Sequence, residues 1–178
     1  MAIVLTHEQR EDLVNVVETT PTQPETPLQG TMVQVLSGLI TFRITSDQTD
    51  GAYTIVETIT APGGGTPPHI QHKDSEAFYV LEGTYTFVLG ESSIEVGAGQ
   101  HVYVPTETIH AFQNSGSEPA RMLIINSPGG IHEKFFREVG QPVDDPSNVP
   151  PADMEAQIAR VMEAAPRYGI EMLPPQEG

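Results

Sequence analysis

Gly63-Gly64-Gly65-Thr66-Pro67-Pro68-His69-Ile70-Gln71-His72-Lys73-Asp74-Ser75-Glu76-Ala77-Phe78-Tyr79-Val80-Leu81-Glu82-Gly83 decides how the rest of the chain is read. Three metal-ligand candidates, His69, His72 and Glu76, fall within eight residues. The glycines and prolines ahead of them oppose a helix, because glycine is entropically costly there and proline lacks a donor. The run from Ala77 to Leu81 favours a strand. Side chains alternate along a strand, so His69 and Gln71 share one face and His72 takes the other. Lys73-Asp74-Ser75 reads as a turn that resets the parity, after which Glu76, Phe78 and Val80 share a side. His69, Gln71 and Glu76 are thus expected to converge on one point. The i, i+3, i+7 spacing of His69, His72 and Glu76 also fits one helix face, but Pro67-Pro68 and Phe78-Tyr79-Val80 weigh against it. Imidazole and carboxylate from neighbouring strands suit a transition-metal site.

Working outward, the flanking sequence reads as short strands. Val33-Leu36, Leu39-Thr45 and Ala52-Thr60 precede the quoted stretch, with Ser46 to Gly51 as a hairpin turn. Tyr85-Leu89, Ser93-Val96, His101-Val104, Ala111-Asn114 and Arg121-Asn126 follow, each bounded by turn residues. Such spacing implies a sandwich or barrel. Pro105 to Ile109 is a turn, so His110 opens a strand. Beyond Ser127-Pro128-Gly129-Gly130, a short helix is expected over Ile131-Val139 and a second from Pro151 or Ala152 to Ala165, ended by Pro166. Tyr168-Leu173 adds a last extended segment. At the other end, residues 6–18 carry a modest helical pattern, and a Thr/Pro-rich linker follows over 19–27. One domain is expected: a core at about 31–127, an N-terminal arm at 1–30 and a C-terminal helical extension at 128–178.

Composition narrows the function. A net charge of −16 on 178 residues opposes nucleic acid and anionic membrane surfaces as partners. There is no Cys, which excludes disulfides, thiolate metal sites and a Cys nucleophile. No apolar run reaches the length of a membrane span. Ile3-Val4-Leu5 is too short for a signal peptide, so a cytoplasmic protein is expected. His132-Glu133 and His7-Glu8 lack the second His of a zinc-protease helix and read as surface residues, as does His101. Tyr53, Phe78, Phe112, Met122 and Phe135 are candidates for a substrate pocket, against the plainer reading of core packing.

Two spaced motifs carry a resemblance. Gly63-x5-His69-x-Gln71-x4-Glu76-x6-Gly83 resembles the first motif of the cupin superfamily, in which position 71 is also His. Gly99-x5-Pro105-x-Glu107-x2-His110-x3-Asn114 resembles the second, in which position 107 is usually Gly. The flanks Phe135-Phe136-Arg137-Glu138-Val139-Gly140 and Arg167-Tyr168-Gly169-Ile170-Glu171 look like bacterial single-domain cupins similar to quercetin 2,3-dioxygenase. The resemblance implies an all-β double-stranded β-helix, a jelly-roll barrel, with short N- and C-terminal helices. It implies one divalent transition metal (Fe, Ni, Co, Mn or Zn) held by His69, Glu76 and His110. The position of the third imidazole is open: Gln71 binds, a water stands in, or a bulge turns His72 inward. Glu76 would be both ligand and general base.

By the same resemblance the expected activity is a dioxygenase reaction on a flavonol-like or other enolisable aromatic small molecule, with dioxygen as co-substrate. The alternatives are a non-oxidative isomerase or cyclase that uses the metal as Lewis acid, and a small-molecule-binding module without catalysis. Exposed strands suggest a homodimer.

Overall fold

The computed structural model describes residues 32–145 and 153–174. Strands β1 (Met32–Val35), β2 (Gly38–Ile44), β3 (Thr54–Thr60), β4 (Gly65–Gln71), β5 (Ser75–Glu82), β6 (Thr84–Leu89), β7 (Ser92–Gly97), β8 (His101–Val104), β9 (His110–Asn114) and β10 (Ala120–Ser127) come first. Helix α1 (Ile131–Val139), strand β11 (Gln141–Pro142), helix α2 (Met154–Ala164) and strand β12 (Ile170–Met172) follow. They build two antiparallel sheets. One has seven strands in the order β11-β1-β2-β3-β10-β5-β8, the other five in the order β12-β4-β9-β6-β7.

Alternation along the strands decides what faces inward. In β5, Glu76, Phe78 and Val80 are buried while Tyr79 is exposed. Phe78, Tyr85, Phe87 and Phe112 meet between the sheets, several pairs edge to face with ring centroids 5.0–5.9 Å apart. That geometry adds to the burial of their large apolar area. The Tyr85 hydroxyl donates to Thr60 Oγ1 at 3.2 Å, and burial pushes its pKa up to about 12.

Glycine is required where β4 crosses β9. A Cβ on Gly65 would stand 1.9 Å from the Phe112 carbonyl oxygen. Just beyond, Pro67 and Pro68 cannot donate to the ladder, and the β4–β9 register shifts between Thr66 and His69. The bulge then restores the pairing of His69 with His110.

The expected closed jelly-roll barrel with simple terminal helices needs correction. Among the described residues no strand of one sheet pairs with the other, so the fold is a double-sheet sandwich with free edges, not a closed barrel. The corners break the ladder: at Gly83, φ is +79° and the neighbouring Ala120 leaves no room for a Cβ. The described helices are not simple caps either. Both follow β10, and α1 packs on β1 and carries His132, Phe135 and Phe136 into the space between the sheets. The expected helix at 6–18 and the linker at 19–27 lie outside the described residues.

Candidate metal centre

The two histidines come from adjacent strands of the five-stranded sheet. His69 and His110 are cross-strand partners, with ring centroids 4.1 Å apart. Each ring is fixed by its own backbone two residues earlier: His69 Nδ1 donates to Pro67 O at 3.0 Å, and His110 Nδ1 to Thr108 O at 2.9 Å. A carbonyl only accepts, so each Nδ1 carries the hydrogen and each Nε2 presents a lone pair. That is the tautomer metal-binding imidazoles need, and its outer anchor is of the usual kind.

Glu76 reaches the same point from the seven-stranded sheet. Ligand atoms of His69, Glu76 and His110 all lie within 4.8 Å of one another, and all three residues are buried. Glu76 Oε1 accepts from Asn126 Nδ2 at 2.8 Å, a cross-strand neighbour on β10. Its Oε2 stands 3.0 Å from His110 Nε2. With Nδ1 already protonated, a neutral His110 and an ionised Glu76 would face each other as two acceptors. A proton or a cation must lie between them.

Burial holds His69 well below the usual histidine range, at about 4, and the neighbouring His110 reinforces this. Burial works to raise the Glu76 carboxyl, but the His110 hydrogen bond and the charges of His132, His110 and His69 outweigh it and hold it at about 2. A neutral imidazole beside an ionised carboxylate is a donor set that fits a divalent transition metal.

Gln71 is buried on the same face of β4 as His69. Its amide nitrogen donates to His132 Nε2 at 3.2 Å, and its carbonyl oxygen has no hydrogen-bond partner among the described residues. His72 points outward, between Glu107 at 2.7 Å and Glu171 at 3.0 Å. The bulge in β4 lies before His69, at the prolines, and does not turn His72 inward.

His132 is the residue the sequence reading missed. Expected at the surface, it is 4% exposed, and its Nδ1 donates to Asp74 Oδ2 at 2.7 Å. Burial works to lower its pKa, but the Asp74 hydrogen bond and the charges of Glu76 and Asp74 outweigh this and raise it. The only signal for it was helical spacing: His132, Phe135 and Phe136 share one face of α1.

Part of this group borders a cavity of about 90 Å³ that is partly open to solvent. His69, Glu76 and His132 form its polar end; Phe112, Ile124 and Phe135 are among its apolar walls. Of the residues expected to line a pocket, Phe112 and Phe135 border this cavity. Phe78 and Met122 are fully buried in the core and do not border the cavity, and Tyr53 is 38% exposed at the start of β3.

Comparison with known proteins gives what the chain is similar to. The cupin domain family model matches residues 56–126, which include His69, Glu76 and His110. Quercetin 2,3-dioxygenase of Bacillus subtilis is 26% identical over 145 residues, 80% of this chain and 42% of that protein. An uncharacterised protein of Methanocaldococcus jannaschii is 31% identical over 80 residues, 45% of this chain and 64% of that protein. The chain thus spans less than two thirds of the length of either relative. A crystal structure described as a predicted oxalate decarboxylase of Thermotoga maritima is 16% identical, with a TM-score of 0.49 over 51% of this chain and 80% of that one. The two spaced motifs fall within the matched residues, so this part of the chain is similar to the cupin domain family.

Proposed function

We propose that the protein is a metal-dependent dioxygenase that holds one divalent ion with His69, Glu76 and His110 and acts on a small enolisable compound. One observation carries the reading. His110 Nε2 and Glu76 Oε2 face each other at 3.0 Å inside a buried group of two imidazoles and one carboxylate. Two histidines and one carboxylate with open positions are the donor set of non-haem iron oxygenases. The partial similarity to quercetin 2,3-dioxygenase supports the same reaction class.

When bound, the ion supplies Lewis acidity and positions for oxygen ligands. The chain's own residues do the rest. Pro67 and Thr108 carbonyls orient the rings, and Asn126 holds Glu76 by Oε1. Phe112, Ile124 and Phe135 keep the polar end dry. Gln71 turns its amide nitrogen to His132, and its carbonyl oxygen has no partner among the described residues. A cavity of about 90 Å³ is smaller than the roughly 150 Å³ that accepts benzene. It therefore takes the reacting end of a substrate, with the remainder outside the cavity, and not an entire flavonol.

The test is oxygen uptake by iron(II)-loaded protein offered small phenols and 1,3-diketones, with zinc-loaded protein as control. Uptake with iron and none with zinc supports the proposal. Metal retention with no uptake on any of these would instead favour a non-oxidative isomerase using the ion as Lewis acid.

A further inference from the structure

The cavity has a second polar group that the metal site does not use. His132 borders it beside His69 and Glu76, yet it lies outside the convergent ligand cluster. It enters from α1, an element outside both sheets. Its Nδ1–H is committed to Asp74 Oδ2 at 2.7 Å, and Asp74 is itself 1% exposed. Asp74 thereby fixes the tautomer and leaves the Nε2 lone pair as the ring's one reactive position. What occupies that lone pair is a neutral donor, the Gln71 amide, at 3.2 Å.

Imidazole backed by a buried carboxylate is the arrangement that accepts a proton and stabilises the resulting imidazolium. We propose that His132 is the proton acceptor for an ionisable hydroxyl of the substrate, with Asp74 as its positioning residue. This rests on the proposed metal-dependent activity and gives the base role to His132 instead of Glu76. A hydroxyl entering the cavity replaces the Gln71 amide as donor to Nε2. The O–H bond breaks, its electron pair stays on the substrate oxygen, and the proton forms the Nε2–H bond. The imidazolium then lies against the Asp74 carboxylate, and the substrate oxyanion lies toward the metal site. Both Glu76 oxygens meanwhile keep their partners, Asn126 on one and the metal position on the other. The substrate class follows: a compound whose reacting end is a phenol or enol, flanked by an apolar body.

The experiment uses full-length, zinc-loaded protein, because zinc has no redox chemistry. Protein carrying 15N-histidine is titrated with 4-nitrophenol, whose absorbance distinguishes phenol from phenolate, and His132→Gln assigns the His132 resonances. The expected result is a His132 Nε2 signal that moves from the lone-pair to the protonated position as phenolate forms. His132→Gln should retain one zinc per chain and form at least tenfold less bound phenolate at a pH below the phenol's own pKa. A His132 Nε2 already in the zinc-ligated position would overturn the proposal, and so would phenolate forming while that signal stays unchanged. Absence of phenol binding would overturn it as well. Failure to retain zinc in the wild-type protein would instead overturn the metal-dependent activity on which the inference rests, and zinc content is read before any phenol is added.

Discussion

His69 and His110 show how little local sequence is needed to aim a ligand. Each sits two residues after a backbone carbonyl left free of the ladder, and that carbonyl takes Nδ1. His110→Ala should remove the metal, leaving under a tenth of wild-type content, while the fold survives at a cost of about 1–3 kcal/mol. Metal analysis and a urea melt check both halves. Acid should act through the same residues in the metal-free protein. His69 titrates at about 4 when folded, below its usual 6.5, so the unfolded chain binds more protons between those values. Stability is then lost as pH falls from 6.5 toward 4, by an amount on the order of 3 kcal/mol. Glu76, also lowered, extends the loss toward about 2. His132 is raised and has the opposite sign, losing its contribution as pH rises through its folded value. Urea midpoints of wild type and His69→Gln between pH 7 and 4 should diverge, the variant being the flatter. Gln71→His offers a third imidazole on the face His69 already uses. It should tighten metal affinity at least tenfold in chelator competition, and unchanged affinity would mean that position 71 does not face the ion.

At the scale of elements, β4 is held by residues that oppose regular pairing. Gly65 lets the chain cross Phe112, and Pro67-Pro68 make the bulge that brings His69 opposite His110. Gly65→Ala should cost about 3 kcal/mol or more, since a backbone oxygen blocks the Cβ. It should also lower metal affinity by displacing the His69–His110 pairing. Gly90→Ala is the control: φ is +57° with open space around it, so the cost is about 1 kcal/mol and metal affinity holds. Much at this scale was legible. Strand alternation placed His69, Gln71 and Glu76 inward and His72 outward, and helices at Ile131–Val139 and Met154–Ala164 match the periodic stretches. His132 was not legible. Its spacing with Phe135 and Phe136 was the one local sign of burial, and its partner Asp74 lies 58 residues away.

For the whole molecule, the sequence carried the short-strand pattern and the family resemblance but not the closure of the sheets. Short strands and turn residues indicate two layers or a barrel equally, because either buries one face of every strand. The choice depends on whether edge strands meet, which no alternation pattern records. The described strands form two open sheets, with the candidate ligands divided between them: His69 and His110 from one, Glu76 from the other. An ion at that point ties the layers together and should stabilise the fold by mass action, about 2.7 kcal/mol at a free metal concentration one hundred times Kd. No described helix is long and apolar enough to cross a membrane. The central claim is that three buried side chains from two sheets hold one ion. The most direct measurement is the elemental content of protein purified without chelator, for the wild type and for His69→Ala, Glu76→Ala and His110→Ala. The account predicts close to one divalent transition-metal ion per chain in the wild type and near none in each variant. A wild type that takes up no such ion, or a folded variant that keeps a full complement, would contradict it.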